Sequence, residues 1–152
     1  MDSSAASLSG SRDRPGIHCV FLTCFLDEWR AIATLLQYGR IRSHRAETTD
    51  QADFLLTVTG STVLLSDILF LDGSWADALR MCADLHPGIA PLVVAEPEDR
   101  AFASEALVHG AFGILWKPLS ILRVQRLIQV ADEAAHERMH RPPLPLRIPR
   151  TR

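Results

Sequence analysis

The sequence predicts a three-layer α/β fold, a doubly wound parallel five-stranded sheet built as (βα)5. Two observations carry that expectation. Five short, nearly continuous apolar runs of strand length recur along the chain, and the segments between them place their apolar residues at helical spacing. Right-handed crossovers turn such an alternation into a parallel sheet covered on both faces. Composition agrees: 152 residues, 47% hydrophobic and 22% charged, describe about one folded domain with an ordinary core.

The elements follow in order. Ile17–Phe25 (IHCVFLTCF) reads as a strand buried on both faces. Asp27 is placed to cap the next helix, whose stripe is Trp29, Ile32, Ala33, Leu35 and Leu36 and whose stop is Gly39. A weak strand over Ile41–Ala46 precedes a helix near Asp50–Val58 that ends at Gly60. Thr62–Ser66 is the third strand and Asp72–Gly73 a turn. Ser74–Leu85 is helical through Leu79, Cys82 and Leu85, closed by His86–Pro87–Gly88. Pro91–Ala95 is the fourth strand, and Glu98–His109 a helix stopped by Gly110. Phe112–Trp116 is the fifth strand, and Ser120–Met139 a long helix with Ile121, Val124, Ile128, Ala131 and Ala135 inward.

Two flanks stand apart from this pattern. Residues 1–16 are Ser-rich without apolar periodicity and read as a disordered tail. Residues 140–152 carry four prolines, which oppose a helix, and four arginines without an acid. The folded domain is therefore 17–139. It holds ten Lys or Arg against sixteen Asp or Glu, a formal charge of −6, so its surface disfavours nucleic acid. No apolar run reaches the roughly 18 residues of a membrane helix. Three cysteines with no CxxC spacing suggest neither a disulfide framework nor zinc, and the expected compartment is the cytoplasm.

In a doubly wound sheet, ligands meet the chain just beyond the C-terminal strand ends. Those positions are Thr23–Cys24–Phe25, Asp67, Ala95–Glu96 and Lys117–Pro118. An Asp and a Lys at strand ends can form a charge pair in the crevice. Of sixteen basic residues only Lys117 is lysine, and a compact ammonium reaches a carboxylate or phosphoryl oxygen in a way that the planar fork of Arg does not.

At these residues the chain resembles response-regulator receiver domains over about 17–135. Thr62–Trp75 (TVLLSDILFLDGSW) is similar to that family's third strand, acceptor aspartate and following loop, and Ala111–Pro118 (AFGILWKP) to its fifth strand ending in Lys-Pro. The resemblance implies a flavodoxin-like receiver fold, Asp67 as phosphoacceptor, Lys117 as its phosphate or ion-pair partner, and a cis bond before Pro118. Asp67 and Lys117 are then expected within ion-pair reach.

The family's pattern also breaks. Its acidic pair after the first strand aligns with Cys24 and Phe25, neither a hard oxygen ligand for Mg2+. The available substitutes are Asp27 and Glu28. Its hydroxyl residue on the fourth strand aligns with Ala95, and its aromatic switch residue with Ile114.

The function this implies is that of a single-domain receiver-like protein of the two-component, phosphorelay type, with a degenerate Mg2+ site, acting through protein contacts and not as an enzyme. No cofactor is expected, and Mg2+ only if the acceptor site works. The partners implied are a histidine kinase or an output protein, with a homodimer through the fourth helix, fifth strand and fifth helix, a face expected to include Glu105, His109, Leu115, Arg123 and Arg126. Two alternatives stay open: a conventional response regulator phosphorylated on Asp67, and a small flavodoxin-like ligand-binding protein or enzyme. The chain lacks GxGxxG and GxxxxGK[ST], the loops that cradle nucleotide phosphates. Trp75 reads either as packing at a helix start or as a partner contact.

Overall fold

The computed structural model describes residues 16–140. The strands are β1 (Ile17–Leu22), β2 (Ile41–Ala46), β3 (Val63–Asp67), β4 (Ala90–Ala95) and β5 (Gly113–Trp116). They form one parallel sheet in the order β2-β1-β3-β4-β5. The helices are α1 (Leu26–Gln37), α2 (Thr49–Thr59), α3 (Trp75–Leu85), α4 (Arg100–Val108) and α5 (Ile121–His140). Strand order reverses beside β1, between its neighbours β2 and β3, so the crevice of this fold opens at the C-terminal ends of β1 and β3.

Strand alternation splits the core into two layers. Cys19 and Phe21 of β1 and Val63 and Leu65 of β3 face Ile32 and Leu36 of α1 and Val124, Ile128, Ala131 and Ala135 of α5. Val20, Leu22 and Leu64 face Ala52 and Leu56 of α2 and Ala78, Met81 and Cys82 of α3. Cutting fully buried Phe21 back to Ala removes about 3–5 kcal/mol of such packing.

Several local expectations need correction. Asp27 does not cap α1: Phe25 is the N-cap, without a side-chain bond, and Asp27 lies exposed in the first turn. Ser74 caps α3 through a reciprocal capping box with Asp77. Leu79 and Cys82 are buried in α3 as expected, together with Trp75, Ala78 and Met81, but Leu85, in the last turn, is 57% exposed and lies off the core stripe. A two-residue ribbon, Leu69–Phe70 against Gly73–Ser74, follows β3, so the turn falls at Leu71–Asp72. The fourth helical segment begins as a 3-10 turn at Pro97–Asp99 before α4. Gly60 ends α2 in the left-handed conformation, at φ 65°. His140 belongs to α5, not to the basic tail. The other tail residues, 1–15 and 141–152, lie outside the described residues. Among the described residues, no helix is long and apolar enough to cross a membrane.

Candidate functional site

Asp67 ends β3 and is 5% exposed, in register with Val94 of β4. Three connections bring groups to it. The short turn between β1 and α1 places Thr23, fully buried, so that its Oγ1 donates to Asp67 Oδ2 while accepting from the Phe25 amide at 3.0 Å. Two residues inside the helix start, the first turn of α1 presents Glu28, whose carboxylate stands beside that of Asp67. The β5 end presents Lys117, its amide held by the Ala95 carbonyl at 2.9 Å and its bond to Pro118 cis.

Lys117 does not pair with Asp67. Its Nζ donates to Glu28 Oε2 at 2.6 Å and lies 3.9 Å from Glu96 Oε2; no Asp67–Lys117 ion pair forms within 4.0 Å. The reason is hydration. An ammonium is a strongly hydrated point charge, and Glu28 and Glu96 are the more exposed carboxylates, so pairing there costs less desolvation.

The electrostatics follow from this arrangement. Burial is the largest cause pushing the Asp67 carboxyl up to about 7; Thr23's hydrogen bond opposes it, the Glu28 carboxylate adds to it, and the Lys117 charge opposes it. For Lys117 burial acts to lower the pKa, but the carboxylates of Glu28, Asp67 and Glu96 outweigh it and hold the ammonium above its usual range.

Of the expected site residues, the structure brings together Asp67, Lys117 and Glu28. Asp27 points into solvent, and Phe25 is 55% exposed. Cys24 is half-buried in the turn, with no hydrogen bond to the site. Ala95 is buried beneath the crevice, and Ile114 packs against the cluster formed by Trp75, Leu79 and Val93. Trp75 itself is 8% exposed and meets the His109 ring edge-on, centroids 6.0 Å apart, which makes it a packing residue. Sequence reasoning gave Thr23 no role; its position directly after a buried strand was the available signal.

A hard cation would meet two carboxylates here. Glu28 Oε1 is buried without a hydrogen-bond partner, an orphaned oxygen of the kind that a proton or metal ion satisfies. Among the described residues, no group of three or more His, Cys, Asp or Glu converges as a metal site.

No protein-family model matches the chain, and no curated protein matches it by sequence. Solved structures do match in shape. A response regulator receiver domain protein from Clostridium thermocellum superposes with a TM-score of 0.70 at 20% identity, covering 77% of this chain and 94% of that one. The chain carries the receiver fold. The receiver domain of Francisella response regulator 1452 matches with a TM-score of 0.68 at 15% identity, over 78% of this chain and 98% of that one. An uncharacterized protein from Neptuniibacter caesariensis matches with a TM-score of 0.76 at 16% identity, over 87% and 97%. In the receiver fold of this chain, the crevice holds Asp67, Glu28 and Lys117.

Proposed function

We propose that this protein is a receiver-type signalling module of the two-component kind, with Asp67 at the acceptor position, a reduced cation site, and output through protein contacts instead of catalysis. The observation that carries the reading is the buried Asp67 at the C-terminal end of β3, facing Glu28 and Lys117 on a receiver fold. Acceptance of a phosphoryl group requires an ionised Asp67 oxygen to attack phosphorus while the bond to the donor's leaving group breaks. Lys117 supplies positive charge near the oxygens on which negative charge builds. Mg2+ at Asp67 and Glu28 would neutralise more of that charge. Two carboxylates are a thin ligand set for an ion that demands near-octahedral oxygen, so phosphorylation is slow.

Two features support output by contact. Ala95 offers no hydroxyl to report a phosphoryl group to α4. A groove of about 440 Å³ between β5 and α5, lined by Ile114, Leu119, Leu122 and Leu127 with Arg123 and Arg126 at its rim, suits a modest interface. Leu115, expected on that face, is 3% exposed and belongs to the core, because β5 alternation turns it toward α5. A histidine kinase or output protein, and a second copy through α4, β5 and α5, remain the partners of this reading.

Acetyl phosphate with Mg2+, followed by intact mass, tests it. A low-yield phosphoryl adduct that rises as pH passes 7 and is absent from Asp67→Asn is the expected result. An adduct of equal size in Asp67→Asn would overturn the site. Rapid stoichiometric labelling would instead favour a conventional response regulator, the second reading, to which the place of Glu28 lends weight.

A further inference from the structure

We propose that the last turns of α5 bind a divalent transition ion of the imidazole-preferring kind, Zn2+ or a like ion, through Asp132, His136 and His140. The site is independent of the Asp67 crevice and lies at the other end of the same strand, because Asp132 meets Thr62 just before β3. Residues 136–140 read His-Glu-Arg-Met-His. The helix continues through His140, so the two histidines stand one turn apart on one face of α5. A domain boundary drawn after Met139 splits the pair, and the spacing becomes legible only on the folded helix.

Asp132 extends the row by one more turn, four residues before His136. Its Oδ1 lies 3.4 Å from His136 Nε2. Two ligands held about 2.0–2.1 Å from one tetrahedral ion stand about 3.4 Å from each other, so this pair already has the spacing of neighbouring ligands. His140 is prepared in another way. Its Nδ1 lies 2.9 Å from the His136 carbonyl oxygen. A carbonyl only accepts, so Nδ1 carries the proton and Nε2 keeps the lone pair that a metal uses. The two rings are 6.0 Å apart, centre to centre. Among the described residues the three groups do not converge as a finished cage. Two imidazoles on one tetrahedral ion have centres about 5 Å apart, so a side-chain rotation, without a backbone shift, closes the site.

The surroundings favour a cation. The final turn of a helix presents carbonyl oxygens without intrahelical partners, the negative end of its dipole. Arg138, between the two histidines in sequence, turns its Nη1 to the Pro87 carbonyl at 3.3 Å, toward the loop after α3. Asp132 is 6% exposed and oriented by the Thr62 hydroxyl, whereas the His136 side chain is 54% exposed. A fixed carboxylate thus anchors an ion that enters from solvent, and water takes the fourth position. Imidazole nitrogen selects Zn2+, Ni2+ and Cu2+ over the oxygen-seeking Mg2+.

The full chain is titrated with Zn2+ by calorimetry as wild type, His136→Gln, His140→Gln, Asp132→Asn and His18→Gln. Long-range nitrogen-15 spectra of the imidazoles read which nitrogens the ion touches, and thermal melts of each variant report folding. Asn at 132 keeps an oxygen for Thr62 while removing the charge. His18 is the control because its Nδ1 faces His44 Nε2 at 3.0 Å, a second close histidine pair. The expected result is saturable one-to-one binding that shifts Nε2 of His136 and of His140. It is weakened at least about tenfold in His136→Gln, His140→Gln and Asp132→Asn, and unchanged in His18→Gln. Loss in His18→Gln with wild-type affinity in His136→Gln would move the ion to the other pair and overturn the proposal. No saturation below about 1 mM Zn2+ would overturn it as well, and wild-type affinity in Asp132→Asn would overturn the three-ligand assignment.

Discussion

One strand, β3, carries a buried aspartate arrangement at each end, and the two behave differently. At its C-terminal end Asp67 is 5% exposed and accepts from the Thr23 hydroxyl. Just before its N-terminal end, the hydroxyl of Thr62 donates to Oδ1 of Asp132, which is 6% exposed, and His136 Nε2 approaches the same oxygen at 3.4 Å. Burial is nearly equal and each carboxylate takes one threonine hydroxyl. What separates them is the company: Asp132 faces a histidine that can carry positive charge, whereas Asp67 faces a second carboxylate, with the nearest ammonium committed to Glu28. The N-terminal arrangement ties α5 to the sheet. The C-terminal one is left short of positive charge, with the carboxylates of Asp67 and Glu28 beside a single ammonium.

Substitution at the two aspartates should therefore act in opposite directions. The larger effect belongs to Asp67→Asn. The folded-state pKa is raised to about 7 from an ordinary 3.8, so at intermediate pH the folded chain holds a proton that the unfolded chain has released. Stability from this group is complete below about pH 4 and is lost as pH rises through 7. Asparagine removes that loss, and Asp67→Asn should be more stable than wild type by on the order of 2–4 kcal/mol at pH 8, the gain disappearing toward pH 4. Urea unfolding at several pH values measures it; a gain that is independent of pH would break the contrast.

Asp132→Ala should be destabilising by about 1–3 kcal/mol, because it leaves the Thr62 hydroxyl buried without an acceptor. The same unfolding series reads this loss. A neutral result would mean that water replaces the carboxylate, and that the N-terminal arrangement contributes no stability of its own.

The same contrast explains what the sequence made legible. Five apolar runs and their turn residues foretold the sheet, and β2 falls on the expected Ile41–Ala46. Asp67 and Lys117 were visible because each directly follows a buried strand, the second as the sole lysine. Glu28 was harder to assign. A ligand aligned with the turn after β1 is expected ahead of the helix, but α1 starts at Leu26 with no side-chain cap and includes both Asp27 and Glu28 in its first turn. A helix that begins without a Ser, Thr, Asn or Asp cap gives no sequence mark for its start. Asp132 was hidden for a similar reason: a polar residue beside Ala131 on the inward stripe of α5 is readable only once Thr62 is known to lie opposite it. The Lys117 partner was invisible too, since choosing among Asp67, Glu28 and Glu96 depends on relative exposure, which spacing does not encode.

The most direct test of the account is a carbon-13 NMR titration of the Asp67 side-chain carboxyl, in wild type and in Glu28→Gln. The wild-type midpoint should fall near 7, as burial and the Glu28 charge together require, and should move toward the acid side once residue 28 is neutral. A wild-type midpoint near 4, or one that Glu28→Gln leaves in place, would contradict the claim that Asp67 and Glu28 share one charge-poor site at the end of β3.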